Sequence, residues 1–206
     1  MVESPTRATT RLRRSDRRTQ LLGAARGAFV AQGYHAAAMD DIADRAGVSK
    51  PVLYQHFPSK LELYLALLAE SADELVRLVE AALHGTENND ERVHRAVGAY
   101  FTFVADNDQA YRLIFESDLR GQAQVEQIVD RATDRCIAAI TDTITTDTGV
   151  DAERARLLAA ALVGLSQVSA RYWLTQSSGV PRSEAIEMLS TLAWRGISRF
   201  PRQAGG

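Results

Sequence analysis

The residues of this chain whose types and spacing could do chemistry lie mostly between Ser49 and Lys60, and the chemistry is binding rather than bond-making. Lys50, Pro51, Val52 and Gln55 share one short apolar-periodic segment. A lysine there matches guanine O6 and N7 and a glutamine the edge of adenine, and the other reading of either is a phosphate contact. Elsewhere the search comes back empty. Gly47-Val48-Ser49-Lys50 is a turn before a helix but lacks the glycine spacing of a phosphate loop. No G-x-S-x-G elbow occurs. His35, His56, His84 and His94 have no Cys or His neighbour at metal-ligand spacing. Cys136, beside Ile137, reads as a small buried apolar residue. No catalytic residue, metal or cofactor is expected, and the carboxylates read as polar helix faces.

The elements that must hold Lys50 and Gln55 are written in Met39–Lys60. Ile42, Ala43 and Ala46 fall on one face of a short helix. Gly47 supplies a residue free to take positive φ, and Val48 follows as an apolar plug. Ser49 is a good N-cap for a second short helix. Pro51 is tolerated in its first turn, and the pair Phe57-Pro58 ends it near His56. Two short helices around a Gly-containing turn, with Leu53 and Phe57 inward, describe a helix-turn-helix. The N-terminal part of its second helix enters a major groove, so Lys50, Pro51, Val52 and Gln55 are expected to face base edges.

The string D-I-A-x-x-A-G-V-S-x-x-x-L-Y-x-H-F-x-x-K resembles the DNA-binding signature of the tetracycline-repressor (TetR) family, densely so from Leu21 to Leu63. Beyond Leu63 the likeness is one of architecture. The resemblance implies an all-α protein of about nine helices: a three-helix DNA-binding domain, then a helical effector-binding and dimerisation domain. It also implies phosphate contacts from Ser49, Tyr54, His56 and Lys60. Ala38 departs from the pattern, because the family usually has Thr or Ser there to cap the first motif helix and touch a phosphate.

Composition agrees with the helical reading. Strand-like alternation is absent, Pro and Gly are sparse, and no apolar run approaches the roughly 18 residues of a membrane span. The N-terminus lacks the apolar core of a signal peptide. One cysteine fits a reducing cytoplasm. Charge is unevenly spread: residues 1–60 hold ten Lys/Arg against five Asp/Glu, and the remainder hold fourteen against twenty-one. A basic head on an acidic body is expected where only the head meets a polyanion.

In chain order, residues 1–15 read as a disordered basic arm. Its Arg13 and Arg14, with Arg7 and Arg11, reach a minor groove or phosphates, or else form a solvated tail. Residues 16–60 form the DNA-binding domain, whose first helix runs from Asp16 to Gln32 with Gly33 as terminator. Residues 61–206 form the effector and dimerisation domain. Its first helix opens with the capping box Ser59/Glu62 and carries the stripe Leu61, Tyr64, Leu65, Leu68, Ala72, Leu75 and Val79 down to Leu83. Five further helices are expected at about 90–105, 109–119, 122–147, 151–176 and 181–199, the tail after them being frayed.

The stretch LLAAALVGLSQVSARYWL is apolar around most of its circumference, so it must be buried on several sides. The resemblance supplies a four-helix bundle between two subunits, with Leu158, Leu162, Leu165, Met188, Leu192 and Trp194 as contacts. A wholly intramolecular core is the other reading. The resemblance also implies an effector cavity among the body helices. Tyr100, Phe103, Tyr111, Phe115 and Trp173 are its aromatic candidates, and Arg112, Gln167 and Arg171 its polar anchors. The expected partners are therefore operator DNA, a small and largely apolar effector and a second copy, with no membrane. The function expected is a ligand-responsive transcriptional regulator of the cytoplasm, most simply a repressor released by its effector. The alternatives are an activator, or a helical enzyme or binding protein with a vestigial helix-turn-helix.

Overall fold

Eight α-helices and no strand make up the regular structure of the computed structural model, which describes residues 14–106, 119, 121–176 and 179–197. The chain divides into two compact units, residues 1–67 (the head) and 68–206 (the body), with the boundary inside one helix.

The head is built from α1 (Arg14–Ala36), α2 (Met39–Arg45), α3 (Lys50–His56) and the first turns of α4 (Lys60–His84). α1 begins at Arg14, earlier than expected, so Arg14 is helical; Arg13 and the rest of the arm lie outside the described residues. Gly33 interrupts α1 at φ 77°, ψ 165°, where the sequence places the terminator, and only glycine takes that conformation without strain. Leu21, Leu22, Ala25, Ala28 and Phe29 form the buried stripe of α1. Ile42, Ala43, Leu53, Phe57 and Leu63 are buried as well, and α1 packs on α2 and α2 on α3. Phe29, Tyr34 and Tyr64 close one end as a ring cluster, with centroids 5.2–5.8 Å apart.

The turn between α2 and α3 is a left-handed C-cap. Gly47 has φ 64°; its N–H bonds Asp44 O at 3.0 Å and the Val48 N–H bonds Ala43 O at 3.0 Å. Gln20 Nε2 donates to Ala46 O at 2.7 Å, so α1 also satisfies the end of α2. Two N-termini are less well served. Ala38 takes N-cap geometry (φ −98°, ψ 144°) with no side-chain bond, as its missing hydroxyl requires. Ser49 also takes N-cap geometry, but its side chain makes no cap bond, contrary to expectation. In α4 the Ser59 half of the capping box is made, with the Glu62 N–H 3.1 Å from Ser59 Oγ.

The body holds the rest of α4 with α5 (Asn89–Asp106), α6 (Ala123–Thr148), α7 (Ala152–Thr175) and α8 (Arg182–Ile197). The helix expected at 109–119 lies outside the described residues apart from Leu119, which is buried. The buried face of α4 runs through Leu63, Leu67, Leu68, Ala72, Leu75, Val76, Val79 and Leu83. Leu61 and Leu65, expected in that stripe, are half-buried. Asn88 caps α5, its Oδ1 accepting from the Asp90 and Glu91 N–H groups. Gly149, at φ 67°, closes α6, and Asp151 caps α7 by accepting from the Arg154 N–H. α6 packs along α7, while α8 packs mainly on α5.

One expectation needs correction here. α7 is long and apolar enough to cross a membrane by length and composition, with mean hydropathy 1.2 over an 18-residue window. Gly164, Ser166, Gln167 and Ser169 are spread among its apolar residues, so no continuous apolar run marks it in the sequence. Only 22% of that window is buried within the chain.

Candidate nucleic-acid interface and ligand cavity

α3 presents one face outward and is pinned by the other. Leu53 and Phe57 are buried, whereas Lys50, Pro51, Tyr54 and Gln55 are exposed and Val52 and His56 half-buried. Arg18 stacks its guanidinium 4.7 Å from the Phe57 ring, tying the end of α3 to α1. Ser49 is exposed immediately before the helix. The residues expected to read bases thus share one accessible surface. Lys50 is paired there with Asp40, at 2.8 Å from Oδ1, and the hydrogen bond to that carboxylate raises the lysine pKa.

Lys60, expected to meet a phosphate, is engaged by backbone carbonyls in this structure. Its Nζ donates to Tyr34 O at 2.8 Å, Ala37 O at 3.0 Å and His35 O at 3.1 Å, and lies 4.6 Å from the Tyr34 ring centroid. An ammonium has three N–H groups, and all three are engaged by the segment between α1 and α2. Its partners are carbonyls left over by the break at Gly33, which nothing in the spacing of Lys60 announces.

The body holds a partly open cavity of about 420 Å³ whose wall is mainly apolar. Val93, Ala96, Val97 and Tyr100 line it from α5, Ile140 and Ile144 from α6, Leu158 and Leu162 from α7, Trp194 from α8 and Leu83 from the last turn of α4. Polar groups gather at Asn89, Arg92 and Asp147. Arg92 is the hub: Nε donates to Thr86 O at 2.8 Å and Leu83 O at 3.1 Å, Nη1 donates to Asn89 Oδ1 at 2.8 Å, and Nη1 also pairs with Asp147.

Among the described residues, Tyr100 is the only expected effector residue that lines this cavity. Phe103 is fully buried in the core, and Gln167 lines a narrow crevice with Tyr100 and Cys136. Arg171 is exposed. Trp173 faces Phe101, with centroids 5.5 Å apart, and donates from Nε1 to Val180 O at 2.8 Å, fastening the α7–α8 connection instead. Tyr111, Arg112 and Phe115 lie outside the described residues. Burial raises the Tyr100 phenol pKa, with Cys136 beside it, and raises the Cys136 thiol as well. Among the described residues no group of three or more His, Cys, Asp or Glu is placed to hold a metal.

The expected dimer contacts divide in two. Leu158, Leu162 and Trp194 turn into the cavity. Met188 and Leu192 are exposed at 59% and 62%, and Leu165 is half-buried. Leu157, Val168 and Tyr172, which the sequence reading did not select, are exposed at 74%, 67% and 64%. With Ala161, Gly164 and Leu165 they recur every three or four residues along α7, a stripe legible once its phase is known. A Cβ added at Gly164 would meet nothing within 4 Å, so the stripe is open at that point.

A head with an exposed second motif helix and a helical body with an apolar cavity define an all-α helix-turn-helix protein of two units. Residues 21–67 match the family described as bacterial regulatory proteins, tetR family, and residues 89–196 match a tetracyclin repressor-like C-terminal domain. The chain belongs to the TetR family and is a helix-turn-helix transcriptional regulator. It is 51% identical over 195 residues to the HTH-type transcriptional activator FasR of Mycolicibacterium smegmatis, covering 95% of this chain and 89% of that one. Among solved structures it is similar to a TetR-like transcriptional regulator from Rhodococcus sp. RHA1, with 29% identity, TM-score 0.71 and coverage of 92% of this chain and 100% of that one. A tetR-family regulator from Streptomyces coelicolor is similar at 25% identity and TM-score 0.74, over 91% and 82% of the two chains.

Proposed function

We propose that this regulator binds a two-fold symmetric operator as a homodimer and is switched by a small, largely apolar effector held in the α5–α8 cavity. The observation that carries the reading is the course of α4: Lys60 begins it in the head, and Leu83, in its last turn, lines the cavity. A ligand among Val97, Tyr100, Ile144 and Leu162 bears on Leu83, and displacement there passes along a continuous helix. Arg92 belongs to the same linkage, since it holds the Leu83 carbonyl as well as Asp147. The polar cluster at Asn89, Arg92 and Asp147 orients the effector, and the apolar wall accepts its bulk.

The second copy is supported by the open stripe Leu157–Ala161–Gly164–Leu165–Val168–Tyr172 with Met188 and Leu192, large exposed apolar groups of the kind that mark an interface. Lys50, Pro51, Val52 and Gln55 then meet base edges from two heads, with half-site centres roughly 34–36 Å apart or a multiple of it. Ser49, Tyr54, His56 and Arg14 serve the backbone. Repression and activation use the same switch, according to where the operator lies relative to the promoter. The protein acts in the cytoplasm, beside its DNA.

The ligand must bind the DNA-incompetent arrangement more tightly, since equal affinity for both shifts nothing. A tenfold loss of operator affinity takes about 1.4 kcal/mol of differential binding, well within ordinary coupling energies. The test is reciprocal. Apolar metabolites that raise the melting temperature are titrated with and without a duplex selected from a random pool. Operator weakens the ligand by the same factor as ligand weakens operator. Identical ligand affinities in the two titrations overturn the mechanism.

A further inference from the structure

In the unbound head the ammonium of Lys50 is already taken. Its Nζ lies 2.8 Å from Asp40 Oδ1 and 3.0 Å from Oδ2, so both carboxylate oxygens hold it. Asp40 stands in the first turn of α2, where the helix dipole favours an anion. The two side chains are 55% and 61% exposed, and such a pair contributes little to stability. Its position is more telling than its strength, because it sits on the first residue of α3, the end that enters a groove.

We propose that Asp40 is a specificity-determining residue: by holding Lys50 it favours a neutral acceptor, a guanine edge, and disfavours a phosphate. The proposal rests on the reading above that Lys50 reaches DNA. The carboxylate leaves at least one of the three ammonium N–H groups for guanine O6 or N7, which carry no net charge. A phosphate drawn to the same ammonium comes within about 6 Å of the Asp40 carboxylate. Two like unit charges at that distance in water cost roughly a threefold loss in binding constant. The pair also has no net charge, so Lys50 adds little to the counterion release that drives sequence-independent binding. Asp40 thus lowers the affinity for DNA in general more than for the operator.

The test compares wild type, Asp40→Asn and Asp40→Glu on two duplexes of one length, one selected from a random pool and one scrambled, over a salt series. Asp40→Asn should bind the scrambled duplex about threefold more tightly per protomer, about tenfold for a dimer. Its salt slope should steepen by about 0.9 per protomer. The selected duplex should gain less, so that discrimination falls. Asp40→Glu keeps the carboxylate and should stay near wild type. An equal gain on both duplexes, or none on the scrambled one, overturns the proposal, provided melting shows both variants folded. Lys50→Ala separates this failure from that of the underlying reading. If it changes neither affinity nor base preference, Lys50 does not touch DNA, and both readings fall together.

Discussion

In the head, the helices turn their apolar residues inward: Leu21, Phe29, Ile42, Leu53 and Leu63 are all at most 3% exposed. The outward face of α3 is left to Lys50, Tyr54 and Gln55. The body, with twice the length, leaves Leu157, Val168, Tyr172, Met188 and Leu192 more than half exposed and keeps a cavity of about 420 Å³ inside. Interiors ordinarily close-pack, so neither feature comes from a shortage of apolar residues. The comparison teaches that the head is complete as a packed unit, whereas the body carries two deficits. Those deficits are where the proposed effector and the proposed second copy act, and each can be attacked separately.

The largest effect should follow from closing the outer deficit. Leu157→Glu with Leu192→Glu puts charge on the exposed stripe without touching the core, so the fold should survive. The variant should sediment as a monomer and lose about 100-fold or more in operator affinity, because two half-sites are then no longer bound together. Leu162→Glu sharpens the contrast: it places a carboxylate in the cavity wall, and should lower the melting temperature before it alters assembly. A Leu157/Leu192 variant that stayed dimeric would remove this stripe from the interface.

The two lysines split the head in the same manner. Lys60→Ala strips three backbone carbonyls of an ammonium partner. With the loss moderated by partial exposure, it should cost roughly 1–2 kcal/mol in denaturant unfolding, and the salt slope of DNA binding should not move. Lys50→Ala should do the reverse, leaving stability within about 0.5 kcal/mol and weakening the operator. A shallower slope in a fully stable Lys60→Ala would restore the phosphate contact that the hydrogen bonds argue against.

How far the sequence could be read follows the same division. The helix-turn-helix is specified by local signals (Gly47 at a left-handed cap, Pro51 in a first turn, Phe57-Pro58 as a stop), so its elements and outward residues fall where the spacing puts them. In the body the helices are legible for the same reason: Gly149 and Asp151 mark a boundary to the residue. What is not legible is rotational phase. Leu158 and Leu162 face the cavity while Leu157 and Ala161 face outward, and one residue of register separates these fates in a helix with 100° per residue. A segment apolar on nearly every side gives no sign of which face meets which neighbour. The surroundings of Trp173 and Lys60 are hidden from the sequence for another reason. Each has backbone carbonyl partners, Val180 and Tyr34 to Ala37, whose availability depends on where chain breaks fall in space.

The smallest effect concerns a place where the head is less than fully served. Ala38 already holds N-cap geometry at φ −98°, ψ 144°, and its carbonyl accepts the Ile42 N–H at 3.2 Å, yet it offers no side-chain cap to the first N–H groups of α2. Ala38→Ser supplies an acceptor without moving the backbone. N-cap exchanges of this kind are worth about 0.5–2 kcal/mol. Asp40 and Asp41 already favour the positive end of this helix, so the gain should sit near the lower bound, about 0.5–1 kcal/mol. Ala38 is exposed, which makes Ala38→Val a control for added bulk: it brings branching and apolar surface but no acceptor. Denaturant unfolding of the three proteins decides the matter. Stabilisation by serine and not by valine assigns the gain to the cap, and equal effects from the two would mean that the end of α2 is satisfied by water.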